Sequence, residues 1–343
     1  MRVQDFTYDL PPDRIAQYPA EPRDASRLLV VRRGAEGGVE DARFRDLPRY
    51  LEPGDVLVVN DTRVIPARLL GRKPTGGRVE LLLLRREGVG VWEALARASK
   101  PLRPGGEVRL GEARARVEEV LEGGRCRIRL EVPGDPDAWI ERHGQMPLPP
   151  YIRRQAPDPR DRAWYQTVFA RPDRSGSAAA PTAGLHFTAR VLEELRARGV
   201  ERVAVTLHVG LGTFQPVRTE RLEDHRMHRE WFCVPEETAA RVNRALGEGR
   251  RVVAVGTTVT RVLEHAGRTG RVEPGRGWTD LFIRPGHRFR VVSALVTNFH
   301  LPASTLLVLV CAFGGRERIL AAYRHAVEAG YRFYSYGDAM LVL

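Results

Sequence analysis

The sequence predicts an α/β main domain, a mixed sheet with flanking helices, carrying an inserted small all-β, barrel-like domain. Three observations predict it. Strands alternate with helices through the second half of the chain, the order of an α/β layer. Short, often alternating strands punctuated by glycine pairs fill residues 64–145. A proline- and arginine-rich connector, 144–176, separates the two textures. The expected division is therefore 1–63 and 146–343 for the main domain and 64–145 for the inserted barrel. A chain of 343 residues has room for both.

The early strands are "RLLVV" (27–31), "GDVLVVN" (54–60), "RVELLLL" (78–84), "VWEALA" (91–96), "GEVRL" (106–110) and "RCRIRLEV" (125–132). Gly76–Gly77, Gly105–Gly106 and Gly123–Gly124 read as their turns. In the second half, Thr188 reads as the N-cap of a helix that Gly199 closes. "RVAVTLHV" (202–209), "RVVAVG" (251–256) and "VVSALVTNF" (291–299) read as strands. "PEETAARVNRALGEG", "TTVTRVLEHAG", "STLLVLVCAFGG" and "RERILAAYRHAVEAG" read as helices.

Composition excludes several classes. The longest apolar run, Leu306 to Phe313, is too short to span a bilayer. The stretch "MRVQDFTYDLPPDR" lacks the apolar core of a signal peptide, so a cytoplasmic protein is expected. Cys126, Cys233 and Cys311 are far apart and odd in number, which argues against a disulfide framework or a thiolate zinc site. The net charge is +12, and Lys73 and Lys100 are the only lysines among 55 basic residues. Such arginine enrichment fits a GC-rich genome as well as a polyanionic partner, whose phosphates arginine grips in a bidentate fork.

"HVGLGTF" (208–214) follows a strand but lacks a third glycine and a following helix, so a dinucleotide-binding turn is rejected. "DHRMHREWF" sets His225 and His228 three apart with Glu230 beyond. No cysteine or second cluster joins them, and no metal is expected. More informative are three strand ends, where ligands of α/β sheets sit. His208 ends one, Gly256 another, with Thr257 and Thr258 opening a helix behind it. Asn298 and His300 end the third.

"NDTRVIPARLLGRKPTGGRVELLLL", "MPLPPYI", "YQTVFA", "APTAGLHFT", "TLHVGLGTFQPV", "HRMHRE", "VGTT", "TNFHLPASTLLVLV" and "YRFYSYGDAMLVL" occur in this order. Together the blocks resemble the S-adenosylmethionine:tRNA ribosyltransferase-isomerase family of queuosine biosynthesis, from "LPPDRIAQYPAEPRDASRLL" to the last residue. The resemblance implies transfer and isomerisation of the ribosyl part of S-adenosylmethionine onto 7-aminomethyl-7-deazaguanine at the tRNA wobble position. Epoxyqueuosine forms, and adenine and methionine leave. It also implies that no metal is needed.

Each step of that reaction moves a proton near neutral pH, which suits imidazoles. On this resemblance, catalysis falls to His186, His208, His228 and His300, with Asp61 and Glu230. S-adenosylmethionine, the co-substrate, falls to Gly210, Gly212, Thr213, Gly256, Thr257, Thr258 and Asn298. The tRNA falls to Arg63, Arg153, Arg154, Arg160, Arg162, Tyr165, Gly184, Thr188 and Asp338. A monomer is expected. Two rival readings are an RNA-binding protein without catalysis and a tRNA methyltransferase using the same co-substrate.

Overall fold

The structure is a computed structural model and describes residues 1–34, 38–154, 156, 158–210, 217 and 219–343. In chain order the strands are β1 (Arg27–Val31), β2 (Val39–Arg43), β3 (Val56–Asn60), β4 (Arg63–Val64), β5 (Arg68–Arg72), β6 (Arg78–Gly88), β7 (Val91–Ala98), β8 (Glu107–Leu110) and β9 (Ala113–Val120). They continue as β10 (Arg125–Glu131), β11 (Ser175–Ser177), β12 (Glu201–Leu207), β13 (Glu230–Val234), β14 (Val252–Val255), β15 (Gly275–Thr279), β16 (Ala294–Asn298) and β17 (Ala339–Val342). The helices are α1 (Pro136–His143), α2 (Asp161–Trp164), α3 (Ala189–Ala197), α4 (Glu236–Gly247), α5 (Thr257–Ala266), α6 (Thr305–Gly314) and α7 (Arg316–Glu328).

Nine strands form one mixed sheet in the order β15-β13-β12-β3-β14-β16-β17-β1-β2. β12, β3, β14 and β16 run parallel, whereas β17 is antiparallel to β16 and parallel to β1. Every residue of β3, β14, β16 and β17 is buried. Helices cover both faces, so these strands read as continuous apolar runs instead of alternating ones. The period of two sorts β3 between two cores. Val56 and Val58 pack with the buried residues of α4, α5, α6 and α7. Leu57 and Val59 pack with Val191 and Leu195 of α3 and with Phe44. α3 begins as expected: the Thr188 hydroxyl accepts from Val191 N–H.

The barrel is closed by six strands in the order β10-β7-β6-β5-β8-β9, all antiparallel. Trp139 and Ile140 of α1 join its apolar interior. The chain enters and leaves side by side, because Arg68 and Gln145 exchange backbone hydrogen bonds of 3.1 and 2.9 Å. β9 is absent from the predicted strands. Its inward residues Ala113, Ala115 and Val117 alternate with charges, and alanine gives a weak apolar signal. α1 is also absent, although Asp135 caps it and Pro136 opens it. The connector forms α2 and packs inward, with Met146, Trp164 and Tyr165 in a small core beside Ala180, Leu185 and Tyr336.

Candidate functional site

β14 and β16 end side by side, and the helices that follow them start there. The result is a cleft of about 600 Å³, counting its open mouth, lined by Gly256, Thr257, Thr258, Thr297, Asn298, His300 and Ser304. Ala180–Ala183, Tyr151, Tyr334 and Ser335 complete the wall. No Asp, Glu, Lys or Arg side chain lines it among the described residues. Tyr334 holds a φ of 72°, which is unusual for a bulky side chain. Its ring leans on Tyr151 at 4.7 Å between centroids. Two buried polar atoms on this wall, Thr258 Oγ1 and Asn298 Oδ1, have no hydrogen-bond partner among the described residues. A buried polar atom left unpaired is costly, so such atoms mark positions where a ligand completes the set.

The Asn298 amide is oriented by its neighbours. Its Nδ2 donates to the Tyr334 carbonyl and to His186 Nε2, both at 3.1 Å. A carbonyl only accepts, so the NH₂ group must face it and Oδ1 is left for the cleft. It follows that His186 Nε2 accepts, and the neutral ring carries its proton on Nδ1, which faces Ser26 Oγ at 2.8 Å. His186 stacks on Phe44 and does not line the cleft. Burial, with help from the Arg332 and Arg23 charges, pushes it down to about 3. In this structure both nitrogens of His186 are engaged, and the ring orients Asn298.

His300 does line the cleft. Its ring Nε2 meets Thr297 Oγ1 at 2.7 Å, and its backbone N–H donates to Tyr323 Oη at 3.0 Å. Burial pushes it down to about 3 as well. His208 stands one residue from Val209, which lines the cleft. Its Nδ1 meets Thr62 Oγ1 at 2.8 Å, and its ring stacks on Trp231 at 4.9 Å. Burial and the Arg174 charge push it down to about 4. Asp61 accepts from Thr206 Oγ1 at 2.6 Å, and burial raises its carboxyl. Burial thus pushes His186, His208 and His300 all below the ordinary imidazole value.

Glu230 belongs to a different arrangement. It forms an ion pair with Arg261, each side chain 4% exposed, and it accepts from Gly210 N–H at 2.9 Å. Gly212 and Thr213 lie outside the described residues. His228 is exposed, apart from the cleft.

The residues expected to meet tRNA divide sharply. Tyr165 is completely buried, so no base can stack on it. The Arg154 side chain is largely buried in an ion pair with Asp161 at 2.6 Å, which stitches the connector, while its Nη1 has no partner among the described residues. Arg162 donates to the Gly144 carbonyl, and Arg63 pairs with Glu141 at 2.7 Å. Thr188 caps α3, and Asp338 accepts from the N–H groups of Arg27 and Arg332. Gly184 gives packing rather than open space, since a Cβ there would lie 3.0 Å from Thr167 Cγ2. Arg153 and Arg160 are exposed, the latter over the Trp164 ring at 4.1 Å. A wider cleft, about 2070 Å³ counting the open solvent at its mouth, separates the barrel residues Arg68, Leu70 and Leu82 from Pro147–Pro150 of the connector. Ser26, Tyr334 and Ser335 escaped the sequence reading. The block "YRFYSYGD" carried the signal for two of them.

The family model described as queuosine biosynthesis protein matches residues 3–342. The S-adenosylmethionine:tRNA ribosyltransferase-isomerase of Moorella thermoacetica is 56% identical over 349 residues, covering 100% of both chains. That of Anaeromyxobacter sp. is 58% identical over 346 residues, covering 100% of this chain and 99% of that protein. The crystal structure of an S-adenosylmethionine tRNA ribosyltransferase from Thermotoga maritima is similar at a TM-score of 0.58 and 39% identity, covering 99% of this chain and 100% of that one. It agrees with the mixed sheet and closed barrel described above. A match of this length, on a chain whose strand ends build an uncharged cleft, leaves one conclusion: this chain belongs to the queuosine biosynthesis protein family.

Proposed function

We propose that this chain is an S-adenosylmethionine:tRNA ribosyltransferase-isomerase. It transfers the ribosyl moiety of S-adenosylmethionine to the aminomethyl group of 7-aminomethyl-7-deazaguanine at the tRNA wobble position. Isomerisation gives epoxyqueuosine, and adenine and methionine are released. The observation that carries the reading is identity above half with ribosyltransferase-isomerases over the full length of both chains. No specific observation favours RNA binding without catalysis, or methyl transfer.

The chemistry asks little of charged side chains. The sulfonium of the co-substrate acidifies the neighbouring 5′ carbon, and a base takes a proton there. The amine attacks once it is deprotonated, and adenine leaves more readily when its ring accepts a proton. His300, neutral and held by Thr297 at the cleft wall, is in the form that accepts a proton. His208 and Asp61 stand beside the same strand ends as further candidates, and Gly256 and Thr257 contribute to holding the co-substrate. The tRNA enters by the wider cleft, past Arg153 and Arg160, so that the anticodon base reaches the strand ends. Residues 64–145 act as an inserted unit that forms one wall of that route. No described helix is long and apolar enough to cross a membrane, and the enzyme works in the cytoplasm as a monomer.

The test is incubation of the purified protein with S-adenosylmethionine and tRNA carrying the modified base, followed by chromatography. Adenine and methionine released only with the modified tRNA are expected. S-adenosylhomocysteine in their place would mean methyl transfer, and an untouched co-substrate would leave RNA binding alone.

A further inference from the structure

We propose that the amino-acid end of S-adenosylmethionine lies against α5, its carboxylate at the helix N-terminus and Thr258 hydroxyl, its ammonium at Asn298 Oδ1. The assignment rests on the function proposed above and adds an orientation to it.

Four observations carry it. First, α5 has ten residues and opens on the cleft without a side-chain cap. Its first intrahelical bond is Thr260 N–H to Gly256 O, so the N–H groups of Thr257, Thr258 and Val259 have no intrahelical partner. Such an end favours an anion. The neighbouring α6 differs, since Ser304 Oγ already accepts from Leu307 N–H. Second, Thr258 is 7% exposed and its Oγ1 has no partner among the described residues. A hydroxyl there can donate to a carboxylate.

Third, Asn298 is 2% exposed, and its Oδ1 is likewise unpartnered among the described residues. Its NH₂ group is spent on Tyr334 and His186, so the atom it offers the cleft can only accept. An ammonium, all donor, is its complement. Fourth, no charged side chain lines the cleft among the described residues. A lone carboxylate or ammonium would enter uncompensated, whereas the amino-acid end brings both signs side by side, so that only the sulfonium adds net charge. Gly256 keeps the approach open. It sits at φ 94°, and a Cβ there would stand 3.6 Å from Thr258 Oγ1 and 3.5 Å from Ala183 Cβ. His186 is a positioning residue for this site, because its accepting Nε2 holds the Asn298 amide in register.

The purine edge of the same molecule also mixes donors and acceptors, so the experiment must separate the two ends. Adenine release is followed with modified tRNA, varying S-adenosylmethionine, and decarboxylated S-adenosylmethionine is added as competitor. Thr258→Val should raise the KM for S-adenosylmethionine about tenfold or more, the loss of one hydrogen bond to a charged group. It should change the inhibition constant of the decarboxylated compound less than about twofold. Thr258→Ser should restore the KM. Equal losses for both compounds, or none for either, would place the hydroxyl elsewhere on the ligand and overturn the assignment. A wild type that releases no adenine would instead sink the functional reading beneath it. Should Thr258→Val fail to fold, the Thr258→Ala and Thr258→Ser pair makes the same comparison.

Discussion

The barrel surface and the strand-end cleft handle charge in opposite ways. On the barrel, Arg125 meets Glu93, Arg127 meets Glu87 and Glu119, and Arg129 meets Glu118, at 2.6 to 2.9 Å and with the arginines 40% exposed or more. The cleft has no charged side chain in its lining among the described residues; its polar groups are hydroxyls, an amide and the His300 imidazole, which burial pushes below its ordinary value. A count of arginines therefore locates solvated ladders, not chemistry. Exposed pairs lose most of their attraction to water and salt. Nine buried side-chain polar atoms lack a partner among the described residues, and those of Thr258 and Asn298 belong to residues that line the cleft.

The contrast can be tested at three strengths. The largest effect belongs to the buried pair behind the cleft. Arg261→Met removes the guanidinium from the buried Glu230 carboxylate and should cost about 3–5 kcal/mol in urea denaturation. A loss below about 1 kcal/mol would mean that the pair is no more shielded than those on the barrel.

A middle effect comes from the neutral imidazoles. His186 and His300 are pushed down to about 3 and His208 to about 4. Unfolded, each titrates near its ordinary value, about 6.5. Between those values the unfolded chain binds more protons, so stability rises with pH and is lost as pH falls below about 6.5 toward 4. Each histidine contributes a slope of about 1.4 kcal/mol per pH unit in that window. Urea midpoints for wild type and His300→Gln from pH 7.5 to 4.5 should therefore converge as pH falls. Parallel curves would show that His300 is not held neutral.

The smallest effect is on the barrel. Arg125→Ala should shift the melting temperature by less than about 2 °C, and added salt should shrink even that. A larger shift would give the ladder the weight that the comparison denies it.

Much of this arrangement was legible. The alternation of strands and helices pointed to the layer, and glycine pairs pointed to the barrel. Gly256, Thr257, Thr258, Asn298 and His300 converge because parallel strands deliver their carboxyl ends to one edge. What stayed hidden was pairing. Arg154 and Tyr165 belong to a connector that looks like solvent-facing RNA-binding chain, yet Asp161 and a small apolar core draw both inside. Composition says which residues are present and not which partner each will find. His186 was expected to move a proton. Its role as a support for Asn298 depends on Ser26 and Tyr334, which lie 160 residues before it and 36 beyond Asn298. The edge pair β13 and β15 also stayed hidden, since Trp231 and Trp278 face each other only through a long connection.

β17 joins β16 to β1, and Leu28 there pairs with Ala339. At about 5–20 residues per second of synthesis, the four buried apolar residues Leu28–Val31 wait on the order of 15–60 s for that neighbour. Until it arrives, the β1–β2 hairpin has no route into the sheet, and one side of β1 presents unpaired backbone to whatever else is in the cell. The nascent polypeptide thus spends most of its time on the ribosome with an adhesive edge uncovered, and a holding chaperone would be its natural first companion.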